Sequence, residues 1–383
     1  MELGFANALT TALTADDDDD ENMLLILIPI INYFMECYEF QTPRPRRPRI
    51  PPLRYSFRNS QQDPRELFRF TANEIKTIAR LMNEPYWHHT ACRDKFSLIE
   101  GICILCRRLC YPARWNDLTS LFGRSAAPLC RIFNYMLDII LRKYRHLLQF
   151  DVTRFVNKLP EWADAVATTC PNTYTTVVLF LDGTHRKTCR PKPSALNLPP
   201  GITLNDIQRA QYDGHHHKHG FKYHALVSPN GLIVHAYGPV DGRRHDTTIL
   251  RQSGLADAQF DLSVNGIDYI IYCDSAYALT RNMSKPFYRP AAGTVEARVN
   301  TTMARARTVA SECGYSTITR MWTTTDFPRQ QKMFWTRPAD MYIVSILLSN
   351  IRLCLRRFNQ MSEFFNLSDT CPSLENYLRG DWN

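Results

Sequence analysis

Two short apolar runs that each close on an aspartate, 177-VVLFLDGTH-185 and 268-DYIIYCDSAY-277, constrain this chain more than anything else in it. Runs rich in β-branched and aromatic residues over four to eight positions read as buried strands. In an open α/β sheet, strands of this kind deliver the residues that follow them to one edge, where ligands gather. Asp182 and Asp274 would then stand side by side. Two carboxylates that close repel, and a bound cation is the usual way the repulsion is relieved. Oxygen donors of this hardness favour Mg²⁺ or Mn²⁺ over zinc. On this reading the first strand stops at Asp182, and Gly183 lets the chain turn away. Each aspartate taken alone has a local explanation, since Asp-Gly is a turn signal and Asp274 suits a turn cap.

The other elements follow from periodicity. Residues 175–181 form the first strand; 221–227 and 232–237 form two more, joined by 228-SPNG-231, which is hairpin chemistry. A helix over 246–259, the strand before Asp274, a helix over 303–313 ending at Gly314 and a closing amphipathic helix over 339–358 complete the set. Strand, strand, strand, helix, strand, helix is the order of a ribonuclease-H-like core, so the fold expected is α/β, a mixed sheet flanked by helices. Ahead of it, residues 64–148 are helical throughout. There, 113–123 and 124–148 are two amphipathic segments meeting at Gly123, the layout of a helix-turn-helix, with Ser125 as cap and Arg124 and Arg131 placed to reach phosphates or base edges. The expected organisation is a tail and Pro/Arg linker over 1–60, a helical region over 61–165, the sheet-containing core over 170–325 and a helical extension over 326–383.

A formal charge of +9 over 383 residues calls for a polyanionic partner, and nucleic acid is the first candidate. The run 16-DDDDD-20 and the tract 42-TPRPRRPRIPP-52 cannot form a packed element; the arginines suit DNA phosphates, nuclear import or a solvated spacer. The apolar run 23-MLLILIPIINYFM-35 is too short for a bilayer and is interrupted by Pro29, so no membrane span is expected. The twelve cysteines are scattered and read as reduced intracellular thiols. In 103-CILCRRLC-110 the thiols fall at i, i+3 and i+7 with no second ligand pair downstream, which is a core face rather than a zinc site. The loop 212-YDGHHHKHG-220 carries four histidines but offers no evident tetrahedral set, so with Lys218 and Lys222 it reads as facing phosphate. Arg186, Lys187 and Arg190, and Arg243 with Arg244, extend that basic rim.

The segments LDGTHRKTCRP, HGFKYHALVSPNGLIVHAYGPVDGRRHDTTIL and YCDSAYAL followed by PF resemble the catalytic domain of PIF/Harbinger-type transposases and the nucleases derived from them, a DDE superfamily. The likeness extends over roughly residues 110–360. It implies that Asp182 and Asp274 are the first two catalytic acids and that Asp246, from the HD element, lies beside them as a metal ligand. The family's third acid sits on a late helix, and 307-RTVASECGYS-316 offers Glu312, one place further from Arg307 than the family pattern has it; a shifted register would put Ser311 there instead. Two divalent ions, Mg²⁺ or Mn²⁺, held by Asp182, Asp246, Asp274 and Glu312 would support in-line phosphodiester cleavage, and in transposases strand transfer as well. The resemblance also implies a nuclear protein acting on DNA beside a Myb-like partner protein. Holding two DNA ends implies a homodimer or larger assembly. The rival reading is a domesticated, catalytically silent DNA-binding protein.

Overall fold

The computed structural model describes residues 55–57, 62–192, 201–257, 260–277 and 279–383. Most of the expected tail and linker, with its acidic run, apolar run and Pro/Arg tract, lies outside them. The exception is 55–57, where the Tyr55 ring packs 5.2 Å from Phe68 and 5.9 Å from Phe122, so the packed structure starts before the boundary drawn at residue 60.

The helical half is built on α1 (Leu98–Cys110), which opens where the Ser97 hydroxyl accepts the Glu100 amide at 3.2 Å. Cys103, Cys106 and Cys110 are buried along it, and burial raises all three thiols, Cys110 to about 12. A 3₁₀ turn (Trp115–Leu118) and one helical turn (Thr119–Phe122) lead to Gly123, whose φ of 59° is the left-handed conformation glycine reaches without strain. Then comes α2 (Ala126–Tyr144), which buries Leu129, Ile132, Phe133, Met136 and Ile140. The two-segment layout is present, but the arginines chosen for DNA contact are turned inward. Arg124 pairs with Glu100 at 2.5 Å with both side chains 9% exposed, and Arg131 makes a bidentate pair with Asp94 at 2.6 and 3.0 Å. A buried guanidinium demands a carboxylate, and both carboxylates come from the segment that the second helix packs upon.

After α3 (Leu159–Thr169) the chain enters the sheet: β1 (Val177–Lys187), then α4 (Leu204–Gln211), β2 (Lys218–Val227), β3 (Ile233–Asp241), α5 (Asp246–Gln252), β4 (Ile270–Cys273) and β5 (Met283–Ser284). The spatial order is β3-β2-β1-β4-β5. β2 pairs antiparallel with both β1 and β3, whereas β4 runs parallel to β1 and β5 parallel to β4. Residues 177–181 of β1 are buried on both faces, as a central strand requires. The hairpin between β2 and β3 is tied by Ser228 N–H to Leu232 C=O at 3.0 Å.

Several boundaries differ from the sequence reading, and three of them bear on the site. β1 does not stop at Asp182; it continues to Lys187 because β2 pairs with it as far as Gly220. Helix α5 ends at Gln252, where Gly254 takes a φ of 79°. The helix α6 (Val295–Ser311) does not end at Gly314. It passes through a π-helical turn, Glu312–Ser316, into Thr317–Met321. At that turn Gly314 lies against the sheet, where a Cβ would come within 2.8 Å of Val227 Cγ2. A π turn absorbs one extra residue and shifts the face that follows it.

Helix α7 (Pro338–Arg356) has the length and apolarity to cross a membrane, yet it is buried along most of its length as the core against which the sheet and the helical half pack. Its Asn350 clamps the edge strand: Oδ1 accepts Ile233 N–H at 3.1 Å, while Nδ2 donates to Ile233 C=O at 2.8 Å and to the Tyr377 hydroxyl at 3.0 Å. Asn350→Ala leaves a buried backbone pair without partners. Chemical denaturation is expected to show a loss on the order of 2 kcal/mol or more, and a change below about 0.5 kcal/mol would mean that the clamp is dispensable.

Candidate active site

The last paired positions of β1 and β4 are Leu181 and Cys273. Asp182 and Asp274 are the next residues out on the two strands, so parallel pairing sets them side by side at the C-terminal end of β4. Each is held by local backbone: Asp182 Oδ1 accepts the Gly183 amide at 2.9 Å, and Asp274 Oδ1 accepts the Ser275 amide at 2.7 Å.

Helix α6 covers this pair with one face, at a spacing of four residues. Arg307 forms an ion pair with Asp274. One turn on, the Ser311 side chain comes close enough to the Asp182 carboxyl to act against its upward shift. One turn further, the Tyr315 hydroxyl donates to the Asp182 carbonyl. Positions i, i+4 and i+8 lie along one stripe of a helix, and here the stripe meets the strand that carries Asp182. Glu312 is one residue off it. Its Oε2 accepts Gln360 Nε2 at 3.1 Å, from α8 (Gln360–Phe364). At the place where the resemblance expects the third acid, the structure therefore sets Ser311 toward Asp182 and Glu312 toward α8.

Asp246, the first residue of α5, approaches from the other side of β1. A Cβ built on Gly183 would lie 3.6 Å from its Oδ1 and 3.0 Å from the Tyr277 hydroxyl. Gly183 is thus required for close approach rather than for a turn, and its φ is not left-handed. Because successive strand residues face opposite ways, Asp246 stands across the strand from the Asp182 carboxylate. Tyr277 is buried between the acids and its hydroxyl has no partner among the described residues. Burial, then the charges of Asp246 and Asp182, push its phenol well up.

Burial also raises the Asp182 carboxyl above its ordinary value. The Ser311 side chain, the Gly183 amide and the charge of Arg307 oppose this, and the like charge of Asp274 adds to it. Carboxylates and a hydroxyl crowded on one face form a donor set that suits a hard divalent cation. The donors on this face are Asp182, Asp274 and Ser311. Asp246 lies across the strand, and the Glu312 carboxylate is directed to Gln360.

The predicted basic rim divides. Arg190, Lys218 and Arg243 are exposed, and Lys187 lies beside Lys218, whose amine lowers its pKa. Arg190 lines an open recess of about 610 Å³ with Arg209, Tyr212 and His219. Arg186 is turned inward, its guanidinium 5.4 Å from the Tyr342 ring and 3.8 Å from Asp326. Lys222 is inward too, 3.5 Å from Asp213 and donating to the Arg244 carbonyl at 2.7 Å. Arg244 is half-buried. Sequence reasoning named Ser311 as the residue a shifted register would put at the acid position, and did not single out Tyr277 or Tyr315. Ser311 alone had a signal, its four-residue spacing from Arg307.

Residues 181–350 match the family model of a DDE superfamily endonuclease. The match begins one residue before Asp182 and contains Asp246, Asp274 and Glu312; it leaves out the helical half. No curated protein and no solved structure gives a match. The matched segment is a mixed α/β structure whose sheet is flanked by helices, and the match points to a nuclease or transposase-like function.

A carboxyl whose folded value is raised costs stability once the pH exceeds its unfolded value, and costs nothing at pH values below it. Asp182→Asn is therefore expected to raise the melting temperature at pH 7, with the gain fading as the pH falls below about 4. An unchanged or lowered melting temperature at pH 7 would show that Asp182 is not under electrostatic pressure.

Proposed function

We propose that this chain is a metal-dependent DNA endonuclease of the Harbinger transposase type. The observation that carries the proposal is the juxtaposition of Asp182 and Asp274 at the end of two adjacent parallel strands, inside the segment that matches the DDE endonucleases. The strand order β3-β2-β1-β4-β5, with three antiparallel strands followed by two parallel ones, supports the ribonuclease-H-like reading of that segment.

Asp182, Asp274 and the Ser311 hydroxyl would hold Mg²⁺ or Mn²⁺. Bound there, the ion supplies charge neutralisation for a phosphodiester and a lowered pKa for a water. The protein's own contribution is position. Tyr315 and the Gly183 amide fix Asp182, and the β1–β4 pairing fixes the spacing of the two acids. Arg307, only part-buried beside Asp274, offers a guanidinium for the phosphate oxygens. Lys187, Arg190, Lys218 and Arg243 give the DNA backbone an exposed basic border. Asp246 sits at the start of α5, across β1 and beside Gly183. Nuclear residence, a Myb-like partner and a dimer that holds two DNA ends belong to the same proposal, as does strand transfer.

The test is nicking of supercoiled plasmid by the full chain with Mg²⁺ or Mn²⁺, with EDTA as the blank. Asp182→Asn and Asp274→Asn are expected to lose on the order of a hundredfold or more, the rate equivalent of several kcal/mol of charge stabilisation. Glu312→Gln and Asp246→Asn are expected to stay within about tenfold of the parent. Metal-independent nicking, or loss in Glu312→Gln equal to that in Asp182→Asn, contradicts this assignment. A chain that binds DNA but never cuts it would instead be the silent DNA-binding protein.

A further inference from the structure

The turn between α4 and β2 folds back onto the end of β1 and gathers three ligand-type side chains there. His185 comes from β1, Asp213 from the two-residue strand that pairs with the start of β2, and His216 from the turn itself. Their ligand atoms all lie within 4.8 Å of one another, and among the described residues no other trio is this close. The His185 and His216 rings stack with centroids 5.3 Å apart and planes 5° from parallel. Both ring nitrogens of His185 are buried without a hydrogen-bond partner, a costly state for an imidazole. Asp213 is 3% exposed and accepts His216 Nδ1 at 2.8 Å, while His216 is half open to solvent.

We propose that His185, Asp213 and His216 form a zinc site, separate from the aspartate pair. Two imidazoles and a carboxylate are the ligand types zinc accepts, and three protein ligands leave one position for water on the exposed side. With ligands at about 2.0–2.2 Å the donor atoms would draw to about 3.3 Å apart, a side-chain adjustment that the exposed His216 can make. Such an ion would give the orphaned His185 nitrogen a partner and pin the 212–217 turn to β1. The site sits three residues along β1 from Asp182, about 10 Å away, so it takes no part in holding the ion proposed there. Lys222 is the rival cation for Asp213, and its bond to the Arg244 carbonyl gives it an anchor when zinc takes the carboxylate.

Calorimetric titration of the untagged, chelator-stripped full chain with Zn²⁺ tests this. One equivalent is expected to bind, with affinity at least about tenfold weaker in His216→Gln and in His185→Gln. Asp182→Asn should bind it as the parent does, which separates this site from the aspartate pair. His216 is exposed, so its variant keeps the fold even if His185→Gln does not. Zn²⁺ should also raise the melting temperature of the parent and not that of His216→Gln. Absence of a one-to-one Zn²⁺ complex, or equal affinity in His216→Gln, would leave Lys222 as the partner of Asp213 and overturn the proposal.

Discussion

Everything at the candidate active site depends on one pairing, the parallel register of β1 with β4. That register ends at Leu181 and Cys273, and the next residue on each strand is an aspartate. A slip of one residue would move one carboxylate to the opposite face of the sheet. The register is guarded by burial. Val177–Leu181 and Ile271–Cys273 are almost fully buried, which keeps both strands in the core. Hydrophobic burial thus holds together two like charges that would separate if left to themselves.

Helix α6 then decides what those charges meet. Arg307, Ser311 and Tyr315 fall on a single stripe, and all three are spent on Asp182 or Asp274. The π turn begins at Glu312, the residue after Ser311, and contains both Tyr315 and the Gly314 that lies against Val227. A hydroxyl, not a carboxylate, reaches Asp182. An arginine already paired with Asp274 leaves less negative charge on this face for a cation to neutralise.

Short-range patterns made much of the fold legible. The apolar runs marked the central strands, 228-SPNG-231 marked the hairpin, and Gly123 marked the turn between the two helical segments. Where the outcome depended on a distant partner, the sequence was silent. β1 outruns Asp182 because β2 pairs with it down to Gly220. Arg124 and Arg131 face inward because Glu100 and Asp94 wait there, neither of them a helical neighbour. Gly183 read as a turn residue, whereas its lack of a side chain matters through Tyr277 and Asp246, both remote in sequence. Likewise the His185, Asp213 and His216 cluster exists only once β1 and β2 are aligned, and four histidines within five residues conceal which one is used.

The most direct measurement is anomalous diffraction from crystals of the full chain soaked in Mn²⁺. The account predicts a peak bridging the Asp182 and Asp274 carboxylates at about 2.2 Å, within reach of the Ser311 hydroxyl, with Glu312 still bonded to Gln360. A peak that draws in the Glu312 carboxylate, or no peak beside Asp182, would contradict it.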